Sequence, residues 1–263
     1  MASEFTHRMR EVELAPAIRL LSSATDVLEL GAGDGWQSRA LADLGFRMTA
    51  VDVDASRIGP DPAYPVTLYD GLSLPFPDQS FDAIYSSNVM EHVQAFDRVQ
   101  QELARVLRPG GFAVHCVPSG VWRAWTTLGH PIYAIKALAA IRRSARKSGV
   151  LLGEALGPSS SLIGRLALLI RLAFVSPRHG EHGSFIGEHW LFSRTGWIRR
   201  MESSGWKVEH IETSNIFYTG NETFGLRLTD RVRRRLALVV GSSSLVLKLI
   251  PSHAGSTGCE SQA

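Results

Sequence analysis

The sequence predicts an α/β fold in which a doubly wound, mostly parallel sheet carries helices on both faces. Short apolar runs that suit buried strands alternate with segments of helical periodicity along residues 1–118. A glycine-rich turn, Gly31–Gly35, follows the first of these runs and precedes a helical segment. The 263 residues, 44% of them apolar, allow one elaborated globular domain.

The expected elements follow in order along the chain. Leu14, Ile18 and Leu21 lie at helical spacing and predict an N-terminal helix over residues 9–22. Strands are expected at the apolar runs 27–30, 48–51, 66–69, 81–86 and 112–117. Helices are expected from residue 37 to 44 and from residue 88 to the breaker Arg108-Pro109-Gly110-Gly111. A helix capped by Ser193, a strand at 206–211 and a candidate strand at 244–250 follow.

The glycine turn has the clearest chemical meaning of any stretch in the chain. Gly31, Gly33 and Gly35 separate a strand from a helix, and glycines let backbone N–H groups approach a ligand closely. Asp52 ends the next apolar run at about 20 residues' distance, where a nucleoside site places a carboxylate for the ribose hydroxyls. The pair predicts a cofactor that contains a nucleoside.

The composition of the turn favours S-adenosylmethionine over a dinucleotide. Trp36 stands where the dinucleotide fingerprint has its third glycine, and an indole there disfavours a pyrophosphate against the helix N-terminus. Asp34, inside the turn, would repel a phosphate but suits a cationic ligand. S-adenosylmethionine carries a sulfonium and an amino group and no phosphate, so it is the better match.

Four motifs occur in order along residues 25–118. They are VLELGAGDG (27–35), AVDVD (50–54), LYDGLSLPFPDQSFDAIYSSNVMEHV (68–93) and RVLRPGGFAVHCVP (105–118). Together they resemble the class I S-adenosylmethionine-dependent methyltransferases, most closely the subgroup that acts on small molecules. The resemblance implies a Rossmann-like sheet, an antiparallel final strand and S-adenosylmethionine as the cofactor.

The residue pattern and the resemblance together imply a division of the chain. Residues 1–118 are expected to hold the N-terminal helix and the cofactor-binding half of the domain. Residues 119–192 are expected to form a basic, partly helical insertion after the fifth strand, which serves as a lid over the substrate. Residues 193–251 are expected to return to the same sheet, and the tail 252–263 to be disordered.

The family's motifs imply the cofactor contacts residue by residue. Asp52 matches the acidic residue that accepts both ribose hydroxyl protons, Val53 the apolar residue against the adenine, and Asp70 the acceptor for the adenine amino group. The whole set is Glu29, Gly31, Ala32, Gly33, Gly35, Asp52, Val53, Asp70, Gly71, Leu72, Ser86 and Ser87. Glu29 has an alternative role as a structural residue that supports the turn. The alternative role of Asp52 and Asp70 is to form turns.

Catalysis in this family rests mainly on positioning, because the sulfonium methyl group is already activated. A base is required if the acceptor atom is a hydroxyl oxygen. The candidate bases are His92 and the three histidines His179, His182 and His189 in RHGEHGSFIGEHW (178–190). For His92 the alternative is a purely structural role at the start of a helix.

That histidine- and glutamate-rich stretch has three interpretations: a polar loop, the source of one base, or a divalent metal site. Its spacing matches no HExxH helix, so a base is preferred and no metal is predicted.

Charge is distributed unevenly along the chain. Residues 1–120 hold 9 basic and 16 acidic residues, whereas residues 121–200 hold 12 and 3. Apart from a solvated helical face, the basic middle favours an anionic substrate, an anionic membrane surface or nucleic acid. The amphipathic segments 131–147 and 162–175 favour an acceptor with substantial apolar area, or peripheral contact with a membrane.

These observations predict methyl transfer from S-adenosylmethionine to a small-molecule or lipid-like acceptor, at oxygen. The alternative is an RNA methyltransferase that uses the basic insertion. Nucleic acid is disfavoured because Ser87-Asn88-Val89-Met90 stands where base-amino methyltransferases of the family carry Asn/Asp-Pro-Pro-aromatic. The first residues lack a hydrophobic signal core, so a cytoplasmic location is expected, with membrane association as a further expectation.

Overall fold

A computed structural model of the protein describes residues 4–148, 178–184, 186–220 and 225–252. Its strands are β1 (Asp26–Leu30), β2 (Arg47–Asp52), β3 (Val66–Leu68), β4 (Phe81–Ser87), β5 (Leu107–Pro118), β6 (Trp206–Thr213) and β7 (Ser244–Pro251). They form a seven-stranded sheet in the order β3-β2-β1-β4-β5-β7-β6. Strands β1 to β5 pair in parallel, and β7 pairs antiparallel with both β5 and β6. The predicted fold class and the antiparallel final strand are confirmed.

The helices in the described residues lie between and beside these strands. They are α1 (Glu4–Leu21), α2 (Trp36–Asp43), α3 (Ala55–Ile58), α4 (Phe96–Val106), α5 (Gly120–Ser148), α6 (Gly187–Leu191), α7 (Arg194–Ser203) and α8 (Asp230–Val240). Two short 3-10 turns occupy Met90–His92 and Gly225–Arg227.

The segment after β4 differs from its prediction. One helix was expected from residue 88 onward, but the chain forms the 3-10 turn Met90–His92 and a separate α4 that begins at Phe96. Asn88 has a φ of 54°, and Val93 after the turn is extended with a ψ of 112°. Both conformations interrupt the helical hydrogen-bond ladder.

Alternate residues of the central strands pack into two apolar layers, one on each face of the sheet. On one face Leu28 and Ile84 are fully buried in the layer that includes Val99 and Leu103 of α4. On the other face Val27 of β1 is buried in the layer that includes the α1 residues Leu14, Ala17 and Leu21. This period of two, with both faces covered, is what parallel strands require.

The strand order reverses between β1 and β4, because β2 and β3 extend the sheet on one side and β4 and β5 on the other. In a doubly wound sheet this reversal opens a crevice beyond the carboxyl ends of the strands, where ligands bind. The loops that follow β1, β2, β3 and β4 all emerge at that edge.

Several sequence predictions fall partly outside the described residues. Helix α5 begins directly after β5, as expected of a helical insertion, but residues 149–177 and 253–263 lie outside. The amphipathic segment 162–175 and most of the tail predicted to be disordered fall there, and the lid function of 119–192 stays a prediction. Among the helices that the structure describes, none combines the length and apolar character needed to span a bilayer.

Candidate active site

A cavity of about 530 Å³ lies at the carboxyl ends of the parallel strands. Its wall is made by Gly31 after β1, by residues 52–54 at the end of β2, by 69–72 after β3, and by 88–89 and 92–95 after β4. Its volume is in the range of small-molecule sites. The cavity therefore occupies the crevice that the topology predicts.

The glycine turn brings backbone against the cavity. Gly31 and Ala32 both donate their N–H to the carbonyl oxygen of Val51, at 2.9 and 3.0 Å, which fixes the turn to β2. Gly31 has a φ of 73°, and a Cβ at this position would collide with the side chain of Val89. Glycine is thus required at Gly31 for two independent reasons.

Asp52 offers a preorganised carboxylate at the floor of the cavity. Its Oδ2 accepts the N–H of Gly33 at 2.7 Å, and its Oδ1 accepts the N–H of Asp54 at 2.9 Å. The residue is 2% exposed and lines the cavity. Each oxygen keeps a further lone pair, so the two can accept from two adjacent hydroxyls. This donor set fits the ribose of a nucleoside cofactor.

The neighbouring wall suits an aromatic base. Val53 and Leu72 line the cavity, and 57% and 45% of their surfaces are exposed. Oδ1 of Asp70 accepts the N–H groups of Leu72 and Ser73 at 2.8 and 2.7 Å, and these bonds lower the pKa of the carboxyl group. Asp70 is therefore ionised at neutral pH, and its second oxygen can accept from an exocyclic amino group.

Half of the twelve predicted cofactor contacts line the cavity: Gly31, Asp52, Val53, Asp70, Gly71 and Leu72. The remaining six do not line it. Glu29 is buried, accepts the hydroxyl of Ser38 at 2.5 Å, and has its pKa raised to about 8 by burial. It thereby links β1 to α2 beneath the turn. Ser86 is also buried, and its hydroxyl lies 2.8 Å from Nδ1 of His115.

Of the four predicted histidines, His92 lines the opposite wall of the cavity, and His179 lies next to it without lining the cavity. Burial lowers the pKa of His92. Its ring lies 5.0 Å from the ring of His179, centroid to centroid. The Nε2 atoms of both rings lie 3.8 Å from Oε1 of Glu91, which is fully buried. The fold thus brings together two imidazoles and a carboxylate beside the cavity.

The segment 178–184 is held against this wall by Glu188. Oε1 of Glu188 accepts the N–H groups of His179 and Gly180, both at 2.8 Å. Its Oε2 lies 2.9 Å from Nε of Arg123, and both of these side chains are buried. The carboxylate therefore ties the histidine segment to α5 and α6 at once.

His182 and His189 are placed elsewhere. Nε2 of His182 lies 2.8 Å from the carbonyl oxygen of Val93, so this nitrogen must carry the proton and donate it. Nε2 of His189 lies 3.4 Å from the hydroxyl of Thr127, and burial lowers the pKa of its ring. Neither residue lines the cavity.

The sequence prediction did not include several residues of the site. Asn88 lines the cavity in a left-handed conformation, which asparagine tolerates better than other non-glycine residues. Tyr69 lines it too, and burial raises the pKa of its hydroxyl to about 12. Glu91 was visible in sequence only as the residue before His92, without a sign that it would be buried.

Comparison with known proteins agrees with this geometry. The family described as "Methyltransferase domain" matches residues 28–115, which span β1 to β5 and the whole cavity wall. Residues 28–115 are thus similar to the methyltransferase domain of class I S-adenosylmethionine-dependent enzymes. The cofactor is S-adenosylmethionine, which the donor set around Asp52 fits.

Individual relatives match less than half of the chain. An uncharacterized methyltransferase of Mycobacteroides abscessus is 39% identical over 97 residues, which are 34% of this chain and 38% of that protein. A 2-methyl-6-phytyl-1,4-hydroquinone methyltransferase of Synechocystis is 32% identical over 119 residues, or 42% of this chain and 36% of that protein. The matched part thus covers well under half the length of these relatives.

One solved structure extends the similarity of fold to nearly the whole chain. A protein of Pyrococcus horikoshii superposes with a TM-score of 0.52 over 95% of this chain and 92% of its own, at 16% identity.

Proposed function

We propose that this methyltransferase transfers a methyl group from S-adenosylmethionine to a hydroxyl oxygen of a small-molecule or lipid-like acceptor. One observation carries the proposal. A single cavity has a carboxylate suited to ribose, Asp52, on one wall and an imidazole, His92, on the other.

The cofactor's nucleoside is assigned to the side of the cavity that the sequence motifs describe. Asp52 binds the ribose hydroxyls, Asp70 accepts from the adenine amino group, and Val53 and Leu72 flank the base. When bound, S-adenosylmethionine supplies a methyl group on a sulfonium, an electrophile that needs no further activation.

The acceptor is assigned to the histidine wall. A hydroxyl oxygen that gains a methyl group must release its proton, and groups that take up or stabilise charge have to lie beside it. His92, with His179 and Glu91 behind it, supplies such groups. His182 is less suited, because its Nε2 is already engaged with a carbonyl oxygen.

An acceptor with an apolar part is supported by two features. Val93, Ala95 and Val99 line the cavity beyond His92. On α5, Leu128, Ile132 and Ile135 follow one another at helical spacing and are 66%, 46% and 68% exposed. The name of the Synechocystis relative describes a ring with two hydroxyls and a phytyl chain. Prenylated hydroquinones are therefore the first acceptor class to test, with peripheral contact to an anionic membrane as part of the proposal.

The test offers labelled S-adenosylmethionine together with prenylated hydroquinones in vesicles, water-soluble phenols, or total RNA. We expect transfer to the hydroquinone, with the label bound to oxygen by mass spectrometry of the product. His92→Ala should lower the turnover number by a factor on the order of 100, within the range of a lost proton-transfer group. Label in RNA alone, or on a ring carbon or nitrogen, would contradict the proposal.

A further inference from the structure

The carboxylate of Glu91 is buried without a hydrogen-bond partner among the described residues. The side chain is 0% exposed, and neither Oε1 nor Oε2 is hydrogen-bonded in that part of the chain. Buried polar groups nearly always have partners, and an isolated buried charge is costly. A missing ligand is one physical reason for such a group.

The atoms nearest to this carboxylate are of the kind that binds metals. Nε2 of His92 and Nε2 of His179 each lie 3.8 Å from Oε1 of Glu91, which is too far for a hydrogen bond. The three ligand atoms all lie within 4.8 Å of one another. Ligands that bind zinc at about 2.0–2.2 Å in a tetrahedral arrangement are roughly 3.3–3.6 Å apart. The two distances from Glu91 therefore need to shorten by only a few tenths of an ångström, whereas the two imidazoles have to move closer by up to about 1.5 Å to surround a cation.

We propose that Glu91, His92 and His179 bind a divalent metal ion of the zinc type, and that this ion binds the hydroxyl oxygen of the acceptor. Two imidazoles and one carboxylate form an open ligand set, which leaves a coordination position for a substrate oxygen. The inference rests on the proposed function, since it is the cavity wall at His92 that puts the ion beside the acceptor.

Backbone contacts hold the ligands in place before any ion binds. The N–H of Glu181 donates to the carbonyl oxygen of Glu91 at 2.9 Å. Glu188 fixes the backbone of His179, and the ring of Trp122 packs 4.5 Å from the His179 ring. Preorganisation of this kind lowers the cost of assembling a site.

The accessibility of the three side chains fits a site that is open on one side. Glu91 is buried, whereas the His92 and His179 side chains are 35% and 37% exposed. A bound cation lowers the pKa of a coordinated hydroxyl, which then gives its proton to water. The oxygen forms a bond to the methyl carbon as the carbon–sulfur bond breaks, and the electron pair of that bond stays on sulfur. Charge is thus balanced, and in this mechanism His92 assists proton release by holding the cation.

The first measurement is metal binding by the full-length, chelator-treated protein without cofactor or acceptor. Co²⁺ is titrated and followed by visible absorption, and Zn²⁺ by calorimetry. We expect one equivalent to bind to the wild type. Glu91→Gln, which keeps the shape of the side chain, and His179→Ala should each weaken binding at least roughly 100-fold, beyond the effect of losing a supporting residue.

Two control variants distinguish metal binding by these three ligands from nonspecific binding by other carboxylates and histidines. Glu181→Gln removes a carboxylate from the same segment, and His210→Ala removes an exposed histidine from β6. Both should bind Co²⁺ within about threefold of the wild type, since neither supplies a ligand. Thermal unfolding and S-adenosylmethionine affinity, measured for every variant, show that the fold and the cofactor site are intact.

The inference fails if the wild type shows no saturable binding, or if Glu91→Gln and His179→Ala bind as it does. These readouts need no turnover, so they are independent of the proposed function. A protein that binds Co²⁺ through these residues but methylates no hydroxyl would refute the proposed function and the acceptor role of the ion, while the metal site itself would stand. Turnover that a chelator leaves unchanged would refute the role of the ion in acceptor binding.

Discussion

The carboxylate of Asp52 should dominate the affinity for the cofactor, and Asp52→Asn tests this with little change in shape. In the structure its two oxygens accept the N–H groups of Gly33 and Asp54 at 2.7 and 2.9 Å, and each retains a lone pair. An asparagine has a single acceptor oxygen. Its amide nitrogen therefore faces one backbone N–H and leaves one ribose hydroxyl without an acceptor.

The expected loss follows from these contacts. A hydrogen bond to a charged group contributes about 1.5–3 kcal/mol, and a buried donor left unsatisfied adds to that loss. One such bond is lost and the second is weakened because the charge is gone. We expect about 3 kcal/mol, or roughly a 150-fold increase in the Kd for S-adenosylmethionine.

The assay is a calorimetric titration of S-adenosylmethionine, with Asp54→Asn as the matched control. Asp54 also lines the cavity, and its side chain caps α3 by accepting the N–H of Ser56. Asparagine caps as well as aspartate, so this variant removes the same charge without loss of the cap. We expect its Kd to stay within about threefold. Equal weakening in both variants would show that only the net charge matters, and an unchanged, folded Asp52→Asn would remove Asp52 from the site.

Three further predictions concern stability, each measured by urea unfolding. Glu188→Gln removes the charge of a carboxylate that is paired with the buried Arg123. It should cost about 3 kcal/mol, the lower end for a broken buried pair, because the amide still accepts N–H groups; a loss under about 1 kcal/mol would contradict this. Burial raises the pKa of Glu29 from 4.5 to about 8, so the folded protein holds this proton more tightly than the unfolded chain does. Stability should therefore fall as pH rises from about 5 to 8 in the wild type and less steeply in Glu29→Gln, and equal slopes would refute it. Gly31→Ala should cost at least roughly 1 kcal/mol more than Gly45→Ala. Both glycines have positive φ, 73° and 100°, but only at Gly31 would the added Cβ collide with Val89; equal costs would show that the collision relaxes freely.

The fold was largely predictable, because its strands are apolar runs bounded by turn residues. The run 27–30 is buried as predicted, and the alternation of strand and helix was sufficient for the parallel sheet. The 3-10 turn at Met90–His92 was not predictable from periodicity. Apolar spacing continues across residues 88–107, and the break depends on the backbone of Asn88 and Val93, which pattern does not report.

The cofactor side and the histidine side of the site also differ in how well the sequence predicted them. The carboxylates and the glycine turn lie within about 40 residues of one another, so spacing was enough to predict Asp52, and the resemblance to the family was enough to predict Asp70. His179 was one of three equivalent histidines by composition. Contacts between residues far apart in the chain, from His179 to Glu91 and to Glu188, distinguish it.

The same difference separates the part of the chain that matches the methyltransferase family from the part that does not. The family match stops at residue 115, within β5 and before α5 begins. Up to that point the predicted cofactor residues that line the cavity lie at the ends of buried parallel strands and in the loops that follow them, so their geometry follows from the sheet itself. Beyond it, the histidine segment 178–184 is attached by a few hydrogen bonds, chiefly those that Glu188 and Glu91 accept. Changes in that segment can alter the acceptor side while Asp52 and the glycine turn stay in place. Acceptor specificity therefore has to be determined from this chain's own residues, with Glu91 and His179 the first to be changed.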